Sequence, residues 1–428
     1  MATRRIPSPD PVAAPRTPPN PPTGALRQLR AADLRGLVAL ATQATLGVAR
    51  ITEGVHQSVL GSIGLRGGAQ PGQTRGLTRL IYQGVRGTTQ LVGTSLQAAL
   101  LRLELWLPAA EPAAAPAVER EAVLSALNGV LGDQLAQQGN PLALSMQLRQ
   151  YGRVLDLAAL HAAGAASGKL LLLVHGLCMN DLQWQRGGYD HGAHLAQALG
   201  YTPVYLRYNT GRHISTNGHQ LAEQLEALLA EWPVPVQEFA VLAHSMGGLV
   251  MRSACQQGAA AGHAWLAQLR QLVFLGTPHH GAALERAGHW VDVVLGSTPY
   301  SRPFTRLGQV RSAGITDLRY GYVLDADWQG RDRFRHSPDQ RQPVPLPPGV
   351  ACFAIGATLA AQRSPVAERL VGDGLVPLHS ALGWHSDPAR RLGFAKERQC
   401  VVHRVGHVAL LSDASVARQL VQWLTPGA

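Results

Sequence analysis

One short stretch carries the residue types that attack a carbonyl. The apolar run Phe239-Ala240-Val241-Leu242 leads into Ala243-His244-Ser245-Met246-Gly247-Gly248-Leu249-Val250. The pattern reads as a buried strand that turns sharply at a serine and leaves through two glycines into a helix, the setting of an exposed nucleophile. A turn that strains the serine backbone requires very small residues two positions to either side, and Ala243 and Gly247 stand there. The plain alternative for these residues taken alone is a glycine-rich helix start.

A serine hydroxyl is a poor nucleophile at neutral pH. It needs a base, a carboxylate to orient the base, and donors for the oxyanion. The chain offers them in the order Ser, Asp, His. Asp373 lies in Val371-Gly372-Asp373-Gly374-Leu375-Val376-Pro377, which as a bare turn would read as a glycine-flanked turn aspartate. His407 lies in Val405-Gly406-His407-Val408-Ala409, a loop between the last strand and the last helix. His403 is a rival base, but it remains on the strand. The oxyanion donors expected are the backbone N–H groups of Met246, next to the serine, and of Leu177 in Val174-His175-Gly176-Leu177-Cys178-Met179-Asn180. His175 is expected to hold that loop. His279 and His280, in Gly276-Thr277-Pro278-His279-His280-Gly281, read as loop-ordering residues instead of metal ligands, since no carboxylate or cysteine is spaced with them.

Taken as a set, His175-Gly176-Leu177, Ala243-His244-Ser245-Met246-Gly247-Gly248, Gly276-Thr277-Pro278-His279-His280-Gly281, Gly372-Asp373-Gly374 and Gly406-His407-Val408 resemble the α/β-hydrolase superfamily. Within it they are most similar to bacterial lipases and esterases and to the related deacylases that act on glycosylphosphatidylinositol. The resemblance spans about residues 169–424 and departs from the usual serine motif at Ala243, where glycine is the rule. It implies Ser245 as nucleophile, His407 as general base, Asp373 as orienting acid, and Leu177 and Met246 as oxyanion donors. The reaction implied is cleavage of an acyl or lipid ester through an acyl-enzyme, with no metal and no organic cofactor.

The elements that must position these residues follow from pattern. From Lys169 strands and helices alternate as in a parallel-sheet α/β domain, expected to cover residues 169–428. Lys169 to Val174 is a continuous apolar run suited to a strand buried on both faces. Strands are expected near Val204, at Phe239, at Leu272 to Leu275, at Cys352 to Ile355 and at Cys400 to Val402, and a last helix capped by Ser412 or Asp413. Residues 285–348 form a lid-like insertion rich in Trp, Arg and Pro, in which Trp290, Val291, Val293, Val294, Leu295, Tyr300 and Phe304 offer either an acyl pocket or plain packing.

Before Lys169 the texture differs. Residues 1–24, rich in Pro, Ala and Thr, read as a disordered tail without a signal sequence. Residues 25–107 read as a helical hairpin around a glycine-rich turn at Gly67, Gly68 and Gly72. Residues 108–168 read as a linker and a third helical segment through Val123, Leu127, Val130 and Leu135. Gly47, Gly54 and Gly61, seven apart, imply either close helix–helix approach or a lipid or polymer surface taking up that face.

Composition bounds the rest. The 428 residues are 46% hydrophobic and 15% charged, which excludes a disordered chain. The net charge of +11 is carried almost wholly by arginine, since Lys169 and Lys396 are the only lysines. No basic run or aromatic–basic interleaving concentrates that charge, so nucleic acid is not an expected partner. Cys178, Cys255, Cys352 and Cys400 are scattered like free thiols of a reducing compartment. The expectation is a cytoplasmic or membrane-peripheral ester hydrolase acting on a small-molecule or lipid ester. The alternatives are an intracellular polyester depolymerase or thioesterase with the same three residues, or a non-catalytic surface-binding protein on a hydrolase fold.

Overall fold

The computed structural model describes residues 30–62, 73–106, 118–282, 311–335, 338–361 and 372–425. The proline-rich start, the glycine-rich turn at 67–72, most of the Pro/Ala stretch and the apolar residues Trp290 to Phe304 lie outside them.

Helices α1 (Ala31–Ser62) and α2 (Gly76–Trp106) run antiparallel. Glu53 pairs with Arg86, His56 meets Tyr82, and Thr42 faces Gly93. A Cβ on Gly93 would lie 2.3 Å from Thr42 Oγ1, so glycine there allows the close approach. A Cβ on Gly47 would meet nothing within 4 Å, so close packing does not explain that glycine.

The next helix, α3 (Val118–Gln137), is buried on nearly every side from Glu121 to Leu135. It is a core helix, and the short strands β1 (Gln147–Gln150) and β2 (Arg153–Val154) after it belong to the sheet. The α/β body therefore takes in residues well before Lys169. Asp156 caps α4 (Leu157–Ala162). Then come β3 (Lys169–Val174), α5 (His191–Leu199), β4 (Thr202–Arg207), α6 (Ile214–Glu231), β5 (Glu238–His244), α7 (Met246–Ala261), α8 (Trp265–Gln268) and β6 (Leu269–Leu275). Within the insertion lies α9 (Ala313–Asp317), and past it come β7 (Ala351–Thr358), α10 (Leu378–Ala381), β8 (Gln399–His403) and α11 (Ala414–Leu424), the last capped by Asp413.

The eight strands form one sheet in the order β2-β1-β4-β3-β5-β6-β7-β8. β1 pairs antiparallel with β2 and β4, and every other pair is parallel. Alternate residues serve two cores, as the two-residue period of a strand requires. Leu170, Leu172, Val174, Val241 and Phe274 face a core shared with α3, α6 and α7, while Leu171, Leu173, Leu242 and Ile355 face one shared with α5 and α11. Both faces being covered explains why β3 and β5 read as unbroken apolar runs.

The described end of the insertion is anchored in this body. Ala313, Ile315, Leu318 and Val323 are buried. Ser312 Oγ donates to the Gly129 carbonyl of α3 at 2.6 Å, and the Asp317 carboxylate accepts from Ile214 N–H at 2.8 Å where α6 begins.

Candidate active site

Parallel strands place their C-terminal ends on one edge of the sheet, and loops that leave there converge. Val174 pairs with Ala243, His244 with Leu275, and Leu275 with Ile355. The turns after β3, β5, β6 and β7 are therefore neighbours.

Ser245 sits between β5 and α7 with φ +55° and ψ −126°, a conformation L-residues avoid at a cost of about 1–3 kcal/mol. Its N–H donates to the Leu275 carbonyl at 2.8 Å, which fixes the turn. The need for small neighbours is met. A Cβ on Gly247 would stand 2.5 Å from the Val174 carbonyl oxygen, and one on Gly248 2.1 Å from Thr277 Oγ1. Ala243 is fully buried, so its methyl group is accommodated at the position where glycine was the expected residue.

Asp373 and His407 meet. His407 Nδ1 lies 2.7 Å from Asp373 Oδ2, and the His407 N–H donates to the Asp373 carbonyl at 3.0 Å. The other carboxylate oxygen, Oδ1, accepts from the N–H groups of Leu375 and Val376 at 3.0 and 2.8 Å. Gly372 and Gly374 supply the positive φ values, +47° and +96°, that this tight turn requires. The turn aspartate and the orienting aspartate are thus one residue, with one oxygen for each task. His403, at the end of β8, makes no bond to Asp373.

The loop after β3 lies against the serine. A Cβ on Gly176 would be 2.9 Å from Ser245 Cβ. Among the described residues Leu177 N–H makes no hydrogen bond, and Met246 N–H is the first of a helix, where no intrahelical acceptor exists. Two unused donors therefore flank Ser245. His175 holds this loop, its Nδ1 2.9 Å from the Gly176 carbonyl oxygen and its ring stacked on Tyr208 at 4.5 Å, while Tyr208 Oη donates to the His175 carbonyl at 2.8 Å. Burial lowers the His175 pKa to about 4, so the ring is neutral.

His244 lies beside the dyad, its ring 4.8 Å from that of His407 and its Nε2 3.2 Å from the His407 carbonyl oxygen. Burial, and then the neighbouring His407, hold it well below the usual imidazole range. Among the described residues no hydrogen bond joins Ser245 Oγ to His407. Such contacts commonly tighten only when substrate is present.

Sequence reasoning missed the supports. Gly276, at φ +56°, disfavours any side chain, since a Cβ would stand 2.9 Å from Leu410 Cδ1 and crowd Asp373 Oδ2 and His407 Cε1 at 3.2 Å each. The buried helix α3 backs the donor loop: Gly129 packs on Cys178, and Asn180 Nδ2 donates to Ser125 Oγ at 3.1 Å. An ion-pair chain reaches the same loop. Arg120 binds Asp33 of α1 at 2.6 and 2.7 Å and Glu121 at 2.6 Å; Glu121 pairs with Arg207, and Arg207 with Asp181. Gly129 and Gly132 inside an apolar helix were the available signal, because interior glycine costs about 1 kcal/mol unless something approaches closely.

His280 orders its loop, while the His279 ring packs against Phe274 and Phe394. His280 N–H donates to Ser380 Oγ at 3.0 Å, and its Nδ1 accepts from Arg341 Nη2 at 2.9 Å. Among the described residues no group of three or more His, Cys, Asp or Glu is placed to hold a metal. All four cysteines are free, and burial raises the Cys178 thiol to about 12.

The sheet order, the covered faces and the turn at Ser245 are those of one architecture. The fold is an α/β-hydrolase fold. A domain family of unknown function, DUF7379, matches residues 143–317, less than half of the chain. Among solved structures, the chain is similar to the mature lipase BlEst2 of Bacillus licheniformis at 18% identity, over 60% of this chain and 91% of that one, with a TM-score of 0.40. It is also similar to Aspergillus fumigatus lipase B (12%, covering 61% and 53%, TM-score 0.37) and to the Pyrococcus furiosus esterase Pf2001 (13%, covering 60% and 83%, TM-score 0.35). No curated protein matches the chain. Likenesses this distant carry no argument about chemistry, which rests on the geometry above.

Proposed function

We propose that the protein is a serine hydrolase of carboxylic acyl esters, with Ser245 as nucleophile, His407 as general base, Asp373 as its orienting acid, and Leu177 and Met246 N–H as oxyanion donors. The observation that carries this reading is the meeting, on one sheet edge, of a strained serine, an Asp373–His407 bond of 2.7 Å and two unused N–H groups. Ser245 Oγ attacks the ester carbon while its proton passes to His407 Nε2. Asp373 holds Nδ1–H and so fixes the tautomer and steadies the imidazolium. The oxyanion accepts from Leu177 and Met246 N–H. Collapse expels the alcohol, which takes the proton from His407, and water then releases the acid by the same steps in reverse roles.

A lipid ester is the substrate class proposed, including lipid alcohols with a large headgroup such as glycosylphosphatidylinositol. An ester panel from acetyl to long-chain acyl, run beside emulsified lipid, a polyester and a thioester, ranks these classes. The chemistry itself is tested with a fluorophosphonate probe. Wild-type protein is expected to be labelled and Ser245→Ala not to be. Wild-type protein that resists the probe while cleaving esters would overturn the assignment.

A further inference from the structure

The hairpin of α1 and α2 is folded inside out, and we infer that its outer face docks on an anionic phospholipid bilayer. On α2, Leu77, Leu80, Ile81, Val85, Leu91, Val92 and Leu96 are all exposed, Leu77 by 75% and Leu91 by 67%. They recur at three- and four-residue steps and so share one face of the helix, with the small residues Gly84, Thr88, Ser95 and Ala99 exposed between them. Apart from the half-buried Leu100, the side of α2 turned inward is polar or small: Thr78, Arg79, Tyr82, Arg86, Thr89, Gly93 and Gln97. Helix α1 adds Leu34, Leu37, Ala41, Ala44 and Val48 to this outer face, while Leu46 and Ala49 are buried on its inner side. An amphipathic helix in a protein core turns the other way. A face this long has a partner outside the described chain.

Charge identifies that partner. Among the described residues the hairpin carboxylates Asp33 and Glu53 are 4% and 2% exposed and already paired, with Arg120 and Arg86. The exposed charges among them are arginines: Arg30, Arg50, Arg75 and Arg102. A second copy of the hairpin would bring these arginines together with no exposed carboxylate among the described residues to meet them. An anionic headgroup layer supplies the missing countercharges, and its acyl boundary accepts the leucines. No helix among the described residues is long and apolar enough to cross a membrane, so the attachment is peripheral. This docking is independent of the hydrolase chemistry.

The test uses the full-length protein and co-sedimentation with vesicles. Phosphatidylglycerol/phosphatidylcholine vesicles at low salt are expected to retain at least tenfold more protein than phosphatidylcholine alone, the excess falling at 0.5 M salt in keeping with roughly 3–10 Å screening. The triple variant Leu80→Gln/Leu91→Gln/Ile81→Gln should lose at least tenfold of that binding while its turnover of a soluble ester stays at the wild-type value, which reports intact folding. Arg50→Gln/Arg75→Gln/Arg102→Gln should lose the phosphatidylglycerol preference alone. Wild-type protein that ignores anionic vesicles, or a leucine variant that binds them as wild type does, overturns the inference. A wild-type dimer that fails to bind vesicles and that the leucine variant turns into a monomer overturns it in favour of a second copy as the occupant.

Discussion

Helices α7 and α2 draw on the same residue types and use them in opposite senses. Every residue of α7 from Met246 to Cys255 is buried, including Arg252 and Ser253, because the helix that follows Ser245 is clamped between sheet and neighbours. Helix α2 turns Leu77, Leu80, Leu91 and Leu96 to solvent and Tyr82, Arg86 and Gln97 toward α1. The body satisfies its hydrophobic demand within its own chain. The hairpin leaves that demand open, so its sequence is matched to something it meets. On the proposals above, the difference separates a region whose rigidity would fix a reaction geometry from one whose exposed face would serve attachment.

The largest effect that separates the regions belongs to the serine. Ser245→Ala should lower turnover of a soluble ester about a thousandfold or more, because the atom that forms the bond is removed, while circular dichroism and vesicle binding stay unchanged. His407→Ala and Asp373→Asn should follow with losses of about a hundredfold or more, and His403→Ala with little change. A His403 variant weaker than the His407 variant would reassign the base.

Next comes the seam between the two regions. Arg207→Leu removes the cation between Glu121 and Asp181 and leaves each carboxylate one remaining partner, Arg120 for Glu121 and Arg149 for Asp181. The cost should therefore fall below the about 3–5 kcal/mol of a buried pair broken outright from one side, and it is measurable by urea denaturation. Asp33→Asn, at the hairpin end of the chain, should cost less. A change under about 1 kcal/mol in Arg207→Leu would mean that this chain does not join the hairpin to the donor loop.

The turns at Ser245 and Asp373 were legible because strained turns admit few residue types. Ala243, Gly247, Gly372 and Gly374 flank Ser245 and Asp373 for reasons that belong to local backbone geometry, and local geometry is written in adjacent residues. The strands of the body were legible by the same logic, since strands buried on both faces read as apolar runs. The role of α3 was not, because its burial on nearly every side depends on partners as distant as Asn209 and Ser312, and spacing along one helix cannot reveal them. The hairpin's existence was legible from periodicity, but which face turned inward was decided by Glu53, Arg86 and Gly93 meeting across it. The glycine at position 47, which sequence spacing offered to close packing, has open space before it.

A smaller, graded effect is expected from pH, and it should be confined to the body. Burial first of all lowers the pKa of His175 to about 4 and of His280 to about 3, and holds His244 and His279 well below the ordinary value. These rings bind no proton in the folded state where an unfolded histidine, with a pKa of about 6.5, does. Below that value the unfolded chain therefore holds more protons, and stability rises with pH. Their contribution is complete above about pH 6.5 and declines from there toward the folded values. Thermal melts from pH 7.5 to 4.5 should show a falling Tm over that window, and a Tm that stays level to pH 4.5 would contradict the buried neutral rings.

The smallest effect is the sharpest for the comparison, because one substitution type is placed in both regions. Leu172→Ala empties part of a core in which that side chain has no exposure, and such truncations cost about 2–5 kcal/mol. Leu91→Ala removes the same atoms from a side chain that is 67% exposed, so little area returns to water and the cost should stay within about 0.5 kcal/mol. Alanine's better helix propensity acts in the same direction. Urea denaturation of the two variants without lipid measures both values. With anionic vesicles present, the order of interest reverses, since Leu91→Ala should weaken retention and Leu172→Ala, where still folded, should not. A loss above about 2 kcal/mol for Leu91→Ala in buffer would show that this leucine already has a partner in the folded chain, and the hairpin's outer face would then belong to the body's own packing.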